Sequence, residues 1–188
     1  MKLQRTTLIL LVSAILLGGF VYVYEIQGAP KREAAKAKKQ QLFSFEEEQI
    51  QTVTIYRDQQ TWEFERVNKQ KSPWRMKQPQ DTPASDGAIS FLTNLLVNGK
   101  SSRSFTVPSK QRQEYGLDQP LATVVVELKN QEIHQLILGK PDFNRSSLYA
   151  EKPQRQKSGK LEVLLVSIDF EYAVNRQQSE WLYQEASK

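Results

Sequence analysis

The chain has 188 residues, enough for one domain of ordinary size with an anchor and a linker to spare. It has no cysteine, which excludes disulfides, thiolate metal sites and a cysteine nucleophile; its one histidine, His134, excludes the usual zinc sites. The net charge of +5 sits in the first 39 residues, where Lys2, Arg5, Lys31, Arg32, Lys36, Lys38 and Lys39 oppose Glu25 and Glu33. The rest of the chain is balanced and offers no electrostatic footprint for nucleic acid, whereas basic residues flanking an apolar segment suit anionic lipid.

In chain order, Leu8–Tyr24 comes first and carries no charge. With Thr6 and Thr7 it would make roughly 28 Å of helix, close to the ~30 Å hydrocarbon core. The expectation is a retained single-pass transmembrane anchor over residues 1–27, because the apolar region of a cleaved signal peptide is shorter. The lipid bilayer is therefore the first expected partner. Charge counting places the following domain in the cytoplasm. A very short N-terminal tail before a signal-like core argues instead for an extracytoplasmic domain. Residues 28–49 read as a charged stalk, since Pro30 and the Ala/Lys/Glu/Gln run favour helix without an apolar stripe.

The globular domain is expected over 50–183, with a tail at 184–188. Thr52–Arg57 and Trp62–Glu65 alternate across Asp58-Gln59-Gln60 and predict a hairpin. Trp74–Met76 predicts a third strand. Ser85 predicts the N-cap of a helix with Ala88, Ile89, Phe91, Leu92, Leu95 and Leu96 at helical spacing, ending at Asn98-Gly99. Ser104–Val107 predicts an edge strand, and Lys110–Tyr115 a short helix stopped by Gly116. A second hairpin follows in Ala122–Leu128 and Ile133–Leu138, then a strand pair in Ser147–Ala150 and Leu161–Val166. A last helix carries Phe170, Ala173 and Val174. The fold class expected is α+β: an antiparallel β-sheet with two or three packed helices, preceded by one transmembrane helix. The two hairpins share strand–turn–strand chemistry, which is too little to define a repeat.

Few residues point to chemistry. His134 reads as a structural or surface histidine because no ligand cluster accompanies it. Gly116-Leu117-Asp118-Gln119-Pro120 is explained by turn formation, and Asp118 lacks a partner base. In Asp142-Phe143-Asn144-Arg145 the simpler reading tucks Phe143 into the core; the alternative exposes it beside Arg145 as a contact surface. Nothing resembles a phosphate loop or a dinucleotide fingerprint. No catalytic residue, cofactor or metal is expected.

Several pieces, taken together, resemble the family called domain of unknown function 4340: Ser72-Pro73-Trp74-Arg75-Met76, the Ala84–Val97 helix, Glu114-Tyr115-Gly116-Leu117-Asp118-Gln119-Pro120, Leu138-Gly139-Lys140 and Tyr149-Ala150. The resemblance implies an envelope protein, commonly encoded beside an ABC-type exporter of the gliding-motility kind, with no enzymatic residue to carry over. The expected function is a non-enzymatic, membrane-anchored accessory protein of an ABC-type export complex. An assembly or scaffolding factor for another membrane complex is the alternative. Phe143, Arg145, Tyr115 and Asp118 are the candidate partner contacts.

Overall fold

The computed structural model describes residues 5–22, 40–67, 73–153 and 159–184, in two units, Met1–Gln40 and Gln41–Lys188. In the first unit, helix α1 (Arg5–Val21) has 17 residues. At 1.5 Å per residue it reaches about 26 Å, short of a ~30 Å hydrocarbon core. Among the described residues no helix is long and apolar enough to cross a membrane, so the expected transmembrane helix is overturned.

The second unit is dominated by a nine-stranded antiparallel sheet: β1 (Ile50–Arg57), β2 (Gln60–Arg66), β3 (Trp74–Gln78), β4 (Thr82–Pro83), β5 (Arg103–Pro108), β6 (Ala122–Leu128), β7 (Ile133–Pro141), β8 (Ser147–Glu151) and β9 (Lys160–Ser167). Among the described residues of this unit, only α2 (Asp86–Asn98) and the six-residue α3 (Asp169–Val174) are α-helices. This corrects the α+β expectation, because the helices are few and short beside the sheet. One expected helix, Lys110–Tyr115, is part of a 3₁₀ helix, Ser109–Tyr115, that packs on β5 and β9. Its apolar groups are too few to define a helical stripe.

The strand order is β4-β3-β2-β1-β6-β7-β8-β9-β5. It reads symmetrically outward from the central β1–β6 pair, where Val53 faces Val126 and Ile55 faces Val124. Each side is a four-strand meander followed by a helix: β1–β4 then α2, and β6–β9 then α3. The segment after each helix crosses to the other meander's outer edge. After α2, β5 pairs with β9; after α3, the chain returns to bridge Ala84 with Leu182 beside β4.

Alternation builds the core. Val53, Ile55, Trp62, Phe64, Trp74 and Met76 share one face with Val124, Val126, Leu136, Leu138, Leu148 and Val166. Both helices cover that face through Ala88, Ile89, Leu92, Leu96, Phe170, Ala173 and Val174. The Ser85 side chain accepts from Ala88 N–H, the expected N-cap. Trp181, fully buried, lies 5.1 Å from Phe64 between ring centroids. Arg57 on β1 stacks over Trp62 and donates to the carbonyls of Val174 and Arg176, so a cation meets the C-terminal end of α3.

The compact unit begins at Gln41, ahead of the expected boundary at Ile50. Leu42, Phe43 and Phe45 are buried in the main core. Leu42 N–H donates to Gly99 O at 3.0 Å, and the Lys152 ammonium donates to Leu42 O at 2.8 Å. Burial holds Lys152 below the ordinary lysine range, with Glu162 pulling the other way. The Phe43 and Phe45 rings pack on His134.

Candidate interaction surface

The loop between β7 and β8 is short and internally bonded. The Asp142 carboxylate accepts from Ser146 N–H at 2.8 Å, Ser147 N–H at 3.0 Å and Ser146 Oγ at 3.2 Å. Arg145 N–H donates to Asp142 O at 3.1 Å, and Arg145 takes a positive φ of 55° to complete the turn. Its guanidinium then reaches α3, with Nη2 at 3.3 and 3.4 Å from the two Glu171 oxygens. The tip is thus fastened both to itself and to a core helix.

This arrangement leaves Phe143 with no cover at all; its relative exposure is 105%. The inward reading of Phe143 therefore fails. An aromatic ring in water forgoes the burial that would favour it, by roughly 25 cal/mol for each Å². Tyr172, next to Glu171 in sequence, is 65% exposed. Aromatic and arginine side chains on a restrained backbone lose little conformational entropy on docking, which is why such groups anchor interfaces.

Tyr115 and Asp118 are placed elsewhere, on the opposite face of the sheet. Tyr115 packs edge-on against Tyr149 at 5.0 Å and Phe105 at 5.6 Å. With Leu117, Ile137, Leu161 and Val163 they form a second, smaller core. Gly116 adopts φ 69°, and a Cβ there would stand 2.8 Å from Lys140 N; a Cβ on Gly139 would stand 2.2 Å from Tyr115 O. The two glycines let the turn cross β7 at backbone distance. Arg112 ties the crossing down: it pairs with the buried Glu151, sits 3.3 Å from Asp118 and donates to Leu117 O. The structure brings Phe143 together with Arg145, and Tyr115 together with the motif glycines, in two separate places.

Sequence reasoning missed the role of Leu42, Phe43 and Phe45. The alternation of Phe43 and Phe45 around Ser44 was the available signal, hidden by the charged residues on both sides. A cleft of about 430 Å³ beside the start of α2 is lined by Ser85, Asp86, Glu180 and Tyr183 among others. Among the described residues no group of three His, Asp or Glu side chains could hold a metal ion.

A family model described as a domain of unknown function (DUF4340) matches residues 74–185, from β3 through the C-terminal segment that returns to β4. No curated protein and no solved structure matches the chain.

Proposed function

Because the chain belongs to the domain of unknown function 4340 family, we propose that it is a non-enzymatic accessory protein of a membrane complex, with an ABC-type exporter as the first candidate partner. Its sheet domain works outside the cytoplasm as a docking module. The exporter and the compartment rest on the family resemblance. The docking role rests on one observation, the fully exposed Phe143 on a tip tied to α3 through Arg145 and Glu171. A solvated aromatic held in place is retained at a cost in free energy that a partner's pocket would recover.

The test is a photocrosslinking phenylalanine analogue at position 143 in intact cells, followed by purification in mild detergent. The reading expects a crosslink to an exporter subunit, lost in Arg145→Ala with the domain's near-UV spectrum unchanged. No crosslink at 143, together with no copurifying membrane subunit, ends it. Because the chain has no native cysteine, Ser158→Cys and an impermeant thiol reagent report the compartment without background. Labelling only after lysis would overturn the extracytoplasmic placement.

A further inference from the structure

The sheet has two outer edges, and the chain treats them differently. At the first, β4 is two residues long and contains Pro83. The C-terminal segment closes it: Ala84 bridges Leu182, and Tyr183 N–H donates to Pro83 O at 3.1 Å. Short strands, proline and covering segments are the usual protections against unwanted strand pairing. At the second edge, β5 runs six residues, and Ser104 and Thr106 are exposed.

The ladder decides which backbone groups face out. Ser109 N–H donates to Gly159 O at 3.1 Å, one step beyond the Pro108–Lys160 pair and in the same register. In an antiparallel pair inward and outward residues alternate. Phe105 and Val107 therefore bond toward β9, and Ser104 and Thr106 turn their N–H and C=O groups to the free edge. Among the described residues, neither backbone N–H has a partner on that side.

We propose that β5 is the acceptor edge for an extended, acidic segment of a partner polypeptide, which joins the sheet as a tenth strand. Main-chain pairing would supply the binding and the flanking side chains the selectivity. The flanks are basic. Arg103 stands at one end of the strand with Lys100 just before it; Lys110 and Lys160 stand at the other, and all four are exposed. The nearby carboxylate, Glu162 opposite Thr106, interacts with Lys152. The same charges disfavour a second copy of this chain. Antiparallel self-pairing centred on Thr106, which sets outward residues opposite outward ones, would place Arg103 of one copy opposite Ser109 of the other, next to that copy's Lys110 and Lys160. This inference does not depend on the tip at Phe143.

The experiment uses the full chain in mild detergent and a labelled nine-residue peptide that alternates valine or threonine with glutamate. Saturable binding is expected by fluorescence anisotropy, with amide exchange at Ser104 slowed in the bound state. Thr106→Pro removes an outward donor at an edge position where proline is tolerated, and should weaken binding about tenfold or more. Lys160→Glu, on the neighbouring strand, should weaken it several-fold at low salt and less at high salt; it keeps the test open if the proline variant misfolds. Absence of binding, unchanged affinity in both variants, or equal affinity for a peptide with lysine in place of glutamate would overturn the proposal. So would concentration-dependent dimerisation that Thr106→Pro abolishes, which would assign the edge to a second copy.

Discussion

The two meanders, β1–β4 and β6–β9, share one topology and one helix-covered face, yet differ on the opposite face. In the second meander that face is sealed. Ile137, Leu161 and Val163 meet Tyr115 and Leu117 from the crossing segment. In the first meander the same face carries Thr52, Thr54, Thr61, Glu63 and Glu65, each half-buried. An antiparallel sheet can leave one face in water if its side chains are polar there. The difference shows that outward residues choose between solvent and a covering segment: apolar ones in one half required cover, and threonines and glutamates in the other did not.

The edges show the reverse asymmetry. The first meander, open on its far face, has the closed edge; the second, sealed on its far face, ends on β5. Trp181 anchors the segment that closes the first edge. Its indole is fully buried in the main core, and Ser85 N–H donates to its carbonyl at 2.8 Å. Trp181→Ala should therefore cost about 3–5 kcal/mol, measured by urea unfolding, and should speed amide exchange along β3 and β4 more than along β8 and β9. Uniform loss of protection would mean that the edges are not independently secured.

Next in size is a paired measurement across the far face. Leu161→Ala, in the sealed half, should cost about 2–4 kcal/mol, because it opens a cavity under Tyr115 and Leu117. Thr54→Ala, in the open half, should stay within about 0.5 kcal/mol. Similar costs at the two positions would dissolve the distinction between the halves.

The smallest effect concerns pH. Asp81, between β3 and β4, is held below its usual pKa of 3.8 chiefly by hydrogen bonding to Arg75, with Lys77 adding to the pull and desolvation opposing it. A depressed carboxylate binds fewer protons folded than unfolded. Its contribution is therefore present above pH 3.8 and is lost as pH falls through the lowered value. Asp81→Asn should lower stability slightly at neutral pH and flatten that part of the acid unfolding curve, so that the two proteins converge at low pH. An identical acid limb in the variant would show that the turn contributes nothing.

Much of this architecture is legible in the sequence. The alternation in β1, β2 and β6 placed those strands within two residues, because each has one buried and one wetter face. Ser85 announced the start of α2. Ser104–Val107 was read as an edge strand, and Gly116 as the stop of the segment before it. The candidate surface was less readable. Whether Phe143 turns inward depends on the room left by β7, β8 and α3, and on the reach of Arg145 to Glu171, two residues separated by 25 others in the chain. The sequence does not announce that Leu42, Phe43 and Phe45 belong to the core, because they sit between charged runs. Their burial depends on α2 ending at Gly99 and on Lys152, which lies 110 positions away.

By itself, then, the sequence determined the local alphabet: which residues alternate, where a helix is capped, where glycine admits a left-handed turn, and that the excess charge lies before the domain. These follow from neighbours within a few positions, whose sterics and hydrogen bonds are set locally. The tertiary structure alone decided that β1 pairs with β6, that β5 crosses to the far edge, and that Tyr115 seals one face while Phe143 stands in water. Those outcomes compare burial among segments distant in the chain, a competition that no short window of sequence contains.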